Sequence, residues 1–166
     1  MREIDTLLAD PRYRFYDTDR GGGLWLGRAY ASGGDSDPEP LKGLIHAATV
    51  FQLCGFYYGL AYGRIVGPER SSQMLAVLAA SDIHDKFVQA LEPIVTPQHL
   101  YRKSGQRKMW HSDSILAWDH SWRRYILAGL VEDDRGEQIL RELVPVVERA
   151  LCTNPSPRAA AVGEGG

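Results

Sequence analysis

Residues 99–131, HLYRKSGQRKMWHSDSILAWDHSWRRYILAGLV, carry the pattern that decides the fold. Residues 99–104 have the composition of a short strand. Residues 111–118 become apolar towards their end, and residues 123–131 form a strongly apolar segment. Such segments, bounded by turn-forming residues such as Asp119-His120-Ser121, are typical of strands. We therefore predict three antiparallel strands, the last two forming a hairpin over 111–131.

A strongly amphipathic helix is predicted directly after the hairpin, over residues 135–151. Its apolar residues recur at helical spacing, and they are Ile139, Leu140, Leu143, Val146, Val147 and Leu151. Pro145 lies inside this run and predicts a kink, because proline lacks the N–H that an interior helical turn needs.

Helices are also predicted before the sheet. Thr49 is a good N-cap for an apolar helix that ends near Gly63, a candidate for a left-handed cap. Gly67-Pro68 opens a second helix with proline in its first turn, and residues 86–91 form a third. A short helix is expected over residues 1–10.

An irregular but ordered loop is expected between Pro11 and the second helix. The segment is dense in glycine, aspartate and proline, with Gly21–Gly23 in succession. The aromatic and apolar residues expected to hold it are Tyr13, Phe15, Tyr16, Leu24, Trp25 and Tyr30. Residues 1–152 are thus interpreted as one α+β domain and residues 153–166 as a disordered tail.

The composition excludes several classes of protein. A chain of 166 residues with 44% hydrophobic and 24% charged residues has enough apolar material for a packed core. A net charge of −2 without a basic stripe argues against nucleic-acid binding. No stretch is apolar enough to span a membrane, and the two cysteines form no CxxC pair that would bind zinc. We expect no cofactor and no metal, and Cys54 as a small buried hydrophobe.

Lys103-Ser104-Gly105, at the end of the first predicted strand, is a common tripeptide by itself, and its context gives it meaning. The order of elements around it resembles the C-terminal part of class A β-lactamases and related penicillin-recognising serine hydrolases. The resemblance covers roughly residues 20–151. It rests on the K-S-G tripeptide and on the segments GGLWLGRAYA, PLKGLIHAAT, HDKFVQAL, YRKSGQRKMWHSD and RRYILAGLVED.

This resemblance implies a substrate-binding edge. Lys103 would attract a substrate carboxylate, and the Ser104 hydroxyl would bond the same group. Gly105 would let a substrate backbone lie close to the strand, and the N–H of Gln106 would supply half of an oxyanion hole. Trp110 could wall the site. Gln106 itself departs from the usual pattern, in which a small hydroxyl residue follows the glycine.

The other two motifs of this class are absent from the sequence. None of the ten serines has a lysine three residues later, so the S-x-x-K nucleophile motif is missing. Asn154 is the only asparagine, so S-x-N is missing too. The resemblance therefore implies a partial β-lactamase/transpeptidase-like fold: a three-stranded antiparallel sheet with helices, lacking the N-terminal strands and the nucleophile helix. Residues 123–131 would then present an unpaired edge.

Other polar groupings have less specific interpretations. His111 and Asp113 share one face of a strand and are expected to be a surface or cleft-lining pair. His84, Asp85 and Lys86 are expected to form a solvated helix terminus. His46 is expected in a loop or cap. Glu39 lies where class A enzymes carry a deacylating glutamate, but no local motif supports that role. The four tryptophans are expected to serve chiefly in packing.

Three functional hypotheses remain open at this stage. The chain could be a catalytically incompetent hydrolase remnant, or half of a split enzyme completed by an N-terminal polypeptide. It could also be a non-catalytic binding module for peptidoglycan fragments. Homo-oligomerisation through the unpaired strand edge is a further expectation. The sequence as given lacks a signal peptide and predicts a cytoplasmic location, whereas a longer N-terminus would allow export.

Overall fold

Three antiparallel strands covered by helices on both faces form the centre of the computed structural model, which describes residues 2–28 and 36–153. The helices are α1 (Arg2–Leu8), α2 (Val50–Ala61), α3 (Pro68–Ala79), α4 (Lys86–Leu91) and α5 (Gly136–Thr153). The long strands are β5 (Leu100–Arg107), β6 (Trp110–Trp118) and β7 (Arg124–Glu132). Four two-residue strands precede them: β1 (Tyr16–Asp17), β2 (Gly22–Gly23), β3 (Trp25–Leu26) and β4 (His46–Ala47).

The main sheet has the order β5-β6-β7, with both pairs antiparallel, so the predicted α+β class and the hairpin are confirmed. One boundary differs from the sequence prediction. β5 continues to Arg107 because Lys108-Met109 alone makes the turn into β6, with Lys108 in the left-handed region at φ 53°. The K-S-G tripeptide therefore lies within a strand and not at its end.

The ladder hydrogen bonds show which backbone groups face outwards. The N–H of Asp119 bonds to the carbonyl of Arg123, and that of Asp133 bonds to the carbonyl of Met109. Both bonds extend the β6–β7 register, in which odd-numbered residues pair with odd-numbered ones. Since hydrogen-bonded pairs alternate along an antiparallel ladder, odd residues of β6 bond to β7 and even residues bond to β5. The even residues of β5 and of β7 consequently direct their N–H and C=O groups away from the sheet.

The main core lies between the sheet, α4 and α5. It consists of buried apolar side chains from all three, namely Phe87, Val88, Leu91, Val95, Leu100, Ile115, Ala117, Leu140 and Val144. The apolar face of α5 is narrower than its sequence predicts: Leu140 and Val144 are buried, whereas Ile139 and Val146 are exposed. α2 packs on the opposite face of the sheet, and a second cluster lies beneath α2 and α3.

The predicted helix boundaries are confirmed by their capping residues. The side chain of Thr49 accepts a hydrogen bond from the N–H of Gln52, which satisfies one of the free donors at the start of α2. Gly63 follows α2 with a left-handed φ of 64°, and Pro68 occupies the first turn of α3. These local signals fix where the two helices that support the sheet begin and end.

The segment before α2 contains short strands where the sequence predicted an irregular loop. A Cβ on Gly23 would lie 1.9 Å from the carbonyl oxygen of Phe15, so β1 and β2 approach too closely for any other residue. Tyr30 and the tail from residue 154 fall outside the described residues. In the part of the chain that the structure describes, no helix has the length and apolarity needed to cross a membrane.

Removing a core side chain tests this packing. Leu140→Ala should lower the free energy of unfolding by about 2–5 kcal/mol, since Leu140 is fully enclosed between α5 and the sheet. Ile139→Ala, one residue earlier on the same helix but exposed, should cost less than about 1 kcal/mol. Urea denaturation of both variants measures the difference, and equal losses would contradict the observed core.

Candidate functional site

The side chains of Lys103 and Ser104 leave β5 on opposite faces, because successive residues of a strand alternate. Lys103 lies on the face that α2 covers, opposite Ser114 in the register, and its side chain is exposed. Its ammonium donates to the carbonyl oxygen of Ser104 at 2.7 Å. That carbonyl points outwards from β5, so the ammonium lies along the free edge of the strand.

A hydrogen-bond chain fixes β5 from the α2 side. The hydroxyl of Tyr57, buried on α2, donates to the carbonyl of Ser114 at 3.1 Å. The hydroxyl of Ser114 donates in turn to the carbonyl of Lys103 at 3.0 Å. Burial raises the pKa of Tyr57 to about 12, so this hydroxyl remains a donor throughout the neutral range.

A buried lysine fixes β5 from the other side. Lys86, the first residue of α4, is 1% exposed. Its ammonium donates to the Ser104 hydroxyl oxygen at 2.7 Å and to the Gly105 carbonyl at 3.2 Å. Lys86 uses the acceptor side of that hydroxyl, and the Ser104 hydroxyl itself donates to the carbonyl of Ser112 at 3.5 Å. The carboxylate of Asp85 lies 3.7 Å from the same ammonium.

The prediction of a solvated terminus at His84, Asp85 and Lys86 is therefore wrong for Lys86, and Asp85 is only partly exposed. α4 begins where the chain passes beneath β5. Its first residue, Lys86, is therefore directed at that strand. Its backbone has φ 49°, a left-handed conformation that is uncommon for a residue with a side chain. The sequence offered one unused signal, a lysine beside an aspartate at the start of an otherwise apolar helix.

A buried ion pair joins β5 to β6 beneath the K-S-G tripeptide. The guanidinium of Arg102 donates to both carboxylate oxygens of Asp113, at 3.0 and 3.2 Å. Asp113 also accepts from the N–H of Phe87 at 3.0 Å, which ties in α4. Burial alone would lower the pKa of Arg102, but its hydrogen bonds to Asp113 and Asp85 raise it above the ordinary value.

The expectation of a surface or cleft-lining pair at His111 and Asp113 is thus wrong. Both side chains share one face of β6, as predicted, but that face is covered by α4 and α5, and Asp113 is 1% exposed. His111 packs against Gly136 at the start of α5, where a Cβ would come within 2.4 Å of its ring. Among the described residues, no three His, Cys, Asp or Glu side chains form a group that could hold a metal ion.

Of the remaining predicted site residues, Gly105 and Gln106 lie on β5 itself, and Trp110 lies on the neighbouring strand β6. A Cβ on Gly105 would lie 2.7 Å from the Ser112 hydroxyl, so a side chain there would displace its neighbour. Gln106 is exposed, and its N–H points away from β6, the direction needed to bind a ligand laid along β5. Trp110, paired with Arg107 at the far end of the hairpin, is 56% exposed.

The structure also bears on the expectations for the tryptophans, Cys54 and His46. Trp110 and Trp122 are exposed and do not serve mainly in packing, contrary to the prediction for the tryptophans. Cys54 is half-buried on α2 and not fully enclosed, while His46 is exposed on β4.

Glu39 organises its own loop. Its carboxylate accepts from the Tyr16 hydroxyl at 2.6 Å and from the N–H groups of Leu41 and Lys42 at 2.9 and 2.6 Å, with Leu44 more distant. The bond from Tyr16 lowers the pKa of Glu39, burial opposes this, and the backbone donors lower it further. A carboxylate so fully engaged is poorly placed to activate water.

Comparison with known proteins supports the fold. No family model matches the sequence, and no curated protein matches it. A solved structure described as "Structure of PBP-A", a penicillin-binding protein, matches with a TM-score of 0.55 and 17% identity. The match covers 71% of this chain and 46% of that structure's chain. The chain therefore has part of a penicillin-binding-protein-like α+β fold, and it spans less than half the length of that protein.

Breaking the ion pair tests its structural role. Arg102→Met should lower the free energy of unfolding by about 3–5 kcal/mol, since it leaves the Asp113 carboxylate buried without its cation. Arg107→Met, on the exposed end of the same strand, should change it by less than about 0.5 kcal/mol. Chemical denaturation measures both, and a small loss for the Arg102 variant would refute the assignment.

The pH dependence of stability tests the role of Glu39. Because its folded-state pKa is lowered, its carboxylate stabilises the fold fully above the unfolded value of about 4.3, and this stabilisation disappears as the pH falls through the lower folded value. Glu39→Gln should therefore have a lower melting temperature than the wild type at pH 7, and this difference in melting temperature should disappear in acid. Glu69→Gln, at the exposed start of α3, is the control. A gap that does not vary with pH would contradict the mechanism.

Proposed function

We propose that this chain is the substrate-edge half of a penicillin-recognising serine hydrolase domain, which binds carboxylate-bearing acyl peptides or β-lactams but does not turn them over alone. Such a ligand would lie extended along the free edge of β5. There its backbone would exchange hydrogen bonds with Ser104 and Gln106, as an added strand does.

One arrangement carries this proposal: among the described residues, cations approach Ser104 from both sides of a strand edge that no other strand pairs with. Lys103 lies along the outside of β5 and Lys86 lies beneath it, 2.7 Å from the Ser104 hydroxyl. The exposed Lys103 would bind a ligand carboxylate directly, and the Ser104 hydroxyl would exchange its long bond to the Ser112 carbonyl for one to the same carboxylate. Charge-assisted hydrogen bonds of this kind are the stronger ones. Gly105 keeps the same edge clear for the ligand backbone.

The absence of turnover follows from chemistry. Acyl transfer in this class needs a serine with a lysine three residues later, and no serine in the chain meets that condition. The Ser104 hydroxyl is engaged by the Lys86 ammonium, which is a hydrogen-bond donor and cannot take its proton. Glu39 is held by its own loop and offers no base for deacylation.

Ligand binding with and without a free carboxylate tests the proposal. Benzylpenicillin should bind reversibly and its methyl ester more weakly. Lys103→Gln should weaken binding of the acid about tenfold, allowing for solvent screening of an exposed cation, and should leave ester binding nearly unchanged. Lys108→Gln, which removes the same charge from the neighbouring turn, is the matched control and should change neither. Isothermal calorimetry measures the binding of both ligands to the wild type and to each variant.

Two results would count against this function. If the wild type binds neither β-lactams nor an acylated D-alanyl-D-alanine, the edge of β5 is not a binding site for such ligands. Stoichiometric acylation of a serine, detected by mass spectrometry after incubation with penicillin, would show that the chain carries its own nucleophile.

A second candidate, half of a split enzyme, is favoured by the partial coverage of the structural neighbour together with the missing S-x-x-K motif. It predicts a neighbouring reading frame that encodes S-x-x-K, or an in-frame extension upstream of Met1 that does so. Mixing this chain with that polypeptide should restore hydrolysis of a chromogenic β-lactam. Upstream DNA without such a motif would argue against it.

A further inference from the structure

The outer edge of β7 is an unpaired row of backbone groups. Within residues 2–28 and 36–153, β7 pairs only with β6. The alternation derived above directs the N–H and C=O groups of its even residues, from Arg124 to Glu132, away from the sheet. The N–H of Arg124 is already bonded to the carbonyl of Trp122 at 2.9 Å, so the nine residues of the strand offer four unpaired outward donors and five outward acceptors.

This edge has none of the devices that usually keep strand edges apart. Its sequence, RYILAGLVE, contains no proline and no lysine, and the only charged residues are the two at its ends. Leu130, near one end, is 47% exposed. An apolar edge of this kind favours pairing with another strand.

The same strand is complementary to itself when reversed. If a two-fold axis lies midway between the Ala128 residues of two antiparallel copies of β7, Arg124 of each copy lies opposite Glu132 of the other, one such pair at each end. Between them Tyr125 meets valine 131 of the second strand, an aromatic to β-branched contact that stabilises antiparallel pairs. Since paired residues lie on the same face of a sheet, apolar side chains meet apolar ones on both faces.

The two terminal charges lack ionic partners in the part of the chain that the structure describes. The guanidinium of Arg124 lies over the ring of Trp118 at 5.8 Å, and neither it nor Glu132 forms a salt bridge there. Both residues are exposed and point to the face that α2 covers. Each could therefore bind the opposite charge of a second copy without losing an existing ion pair.

We propose that the chain forms a two-fold symmetric dimer through antiparallel β7–β7 pairing centred on Ala128, giving one continuous six-stranded sheet. Each Arg124 binds Glu132 of the second copy. The far end of the second β7 then lies beside a cavity of about 230 Å³ lined by Tyr58, Tyr62 and Trp118, where exposed aromatic rings border the edge. In this symmetric (isologous) contact the β7 edge of each copy is paired with the other, so no β7 edge remains to bind a third chain.

Charge reversal tests this register. Sedimentation equilibrium from micromolar to millimolar concentration should give a dimer for the wild-type chain. Arg124→Glu alone and Glu132→Arg alone should each raise the dimer dissociation constant about tenfold or more, since each puts two like-charge pairs into the interface. The double variant should restore it. Arg107→Glu, at the end of the other sheet edge, is the matched control and should have no effect.

Every outcome decides the proposal. A wild-type monomer at all concentrations, or open-ended aggregates, would overturn it. So would single variants that dimerise normally, or a double variant that stays monomeric while retaining wild-type circular dichroism. A heterodimer with another polypeptide that displaces the homodimer would assign the edge to that partner instead. Amide exchange supplies an independent check, because the N–H groups of Ile126, Ala128 and Leu130 should become protected only as the concentration rises.

Discussion

The buried pair of Arg102 and Asp113 is the interaction on which the rest of the arrangement depends. It joins neighbouring strands, and through the N–H of Phe87 it also fixes the start of α4. That start positions Lys86 beneath Ser104, so the geometry of the K-S-G edge is a consequence of one neighbouring ion pair, whose Asp113 lies opposite Ser104 in the register. A carboxylate that accepts several hydrogen bonds in a dry interior is costly to disturb, which explains why it can hold three elements together.

The fold could be predicted from the sequence because its determinants are local. Alternating and continuous apolar runs marked the hairpin, Thr49 marked the start of α2, and the periodicity around Leu140 marked α5. The K-S-G tripeptide could be placed on a strand by the same reasoning, although its position within the strand could not, because the turn at Lys108 depends on a backbone conformation with no strong sequence signature.

The polar interior could not be predicted, since it depends on contacts between residues distant in sequence. Lys86 and Ser104 are 18 positions apart, and Arg102 and Asp113 are 11 apart. A lone His-x-Asp or Asp-Lys pair has the composition of a solvated surface, and only the path of the chain decides whether it is enclosed. The two edges of the sheet differ for the same reason: β5 is lined with polar groups drawn from three elements, whereas β7 is bordered by aromatic rings from α2 and β6.

The backbone at Lys86 has an evolutionary consequence. A lysine at φ 49° costs roughly 1 kcal/mol or more relative to glycine, and asparagine would also accept that conformation more readily. Either replacement would relieve this strain, but it would also remove a fully buried side chain and its hydrogen bonds to Ser104 and Gly105, so the strained backbone is retained only while those bonds outweigh it. The residue found there in related genes would then show which of the two, backbone strain or the hydrogen bonds of the ammonium, has governed this position.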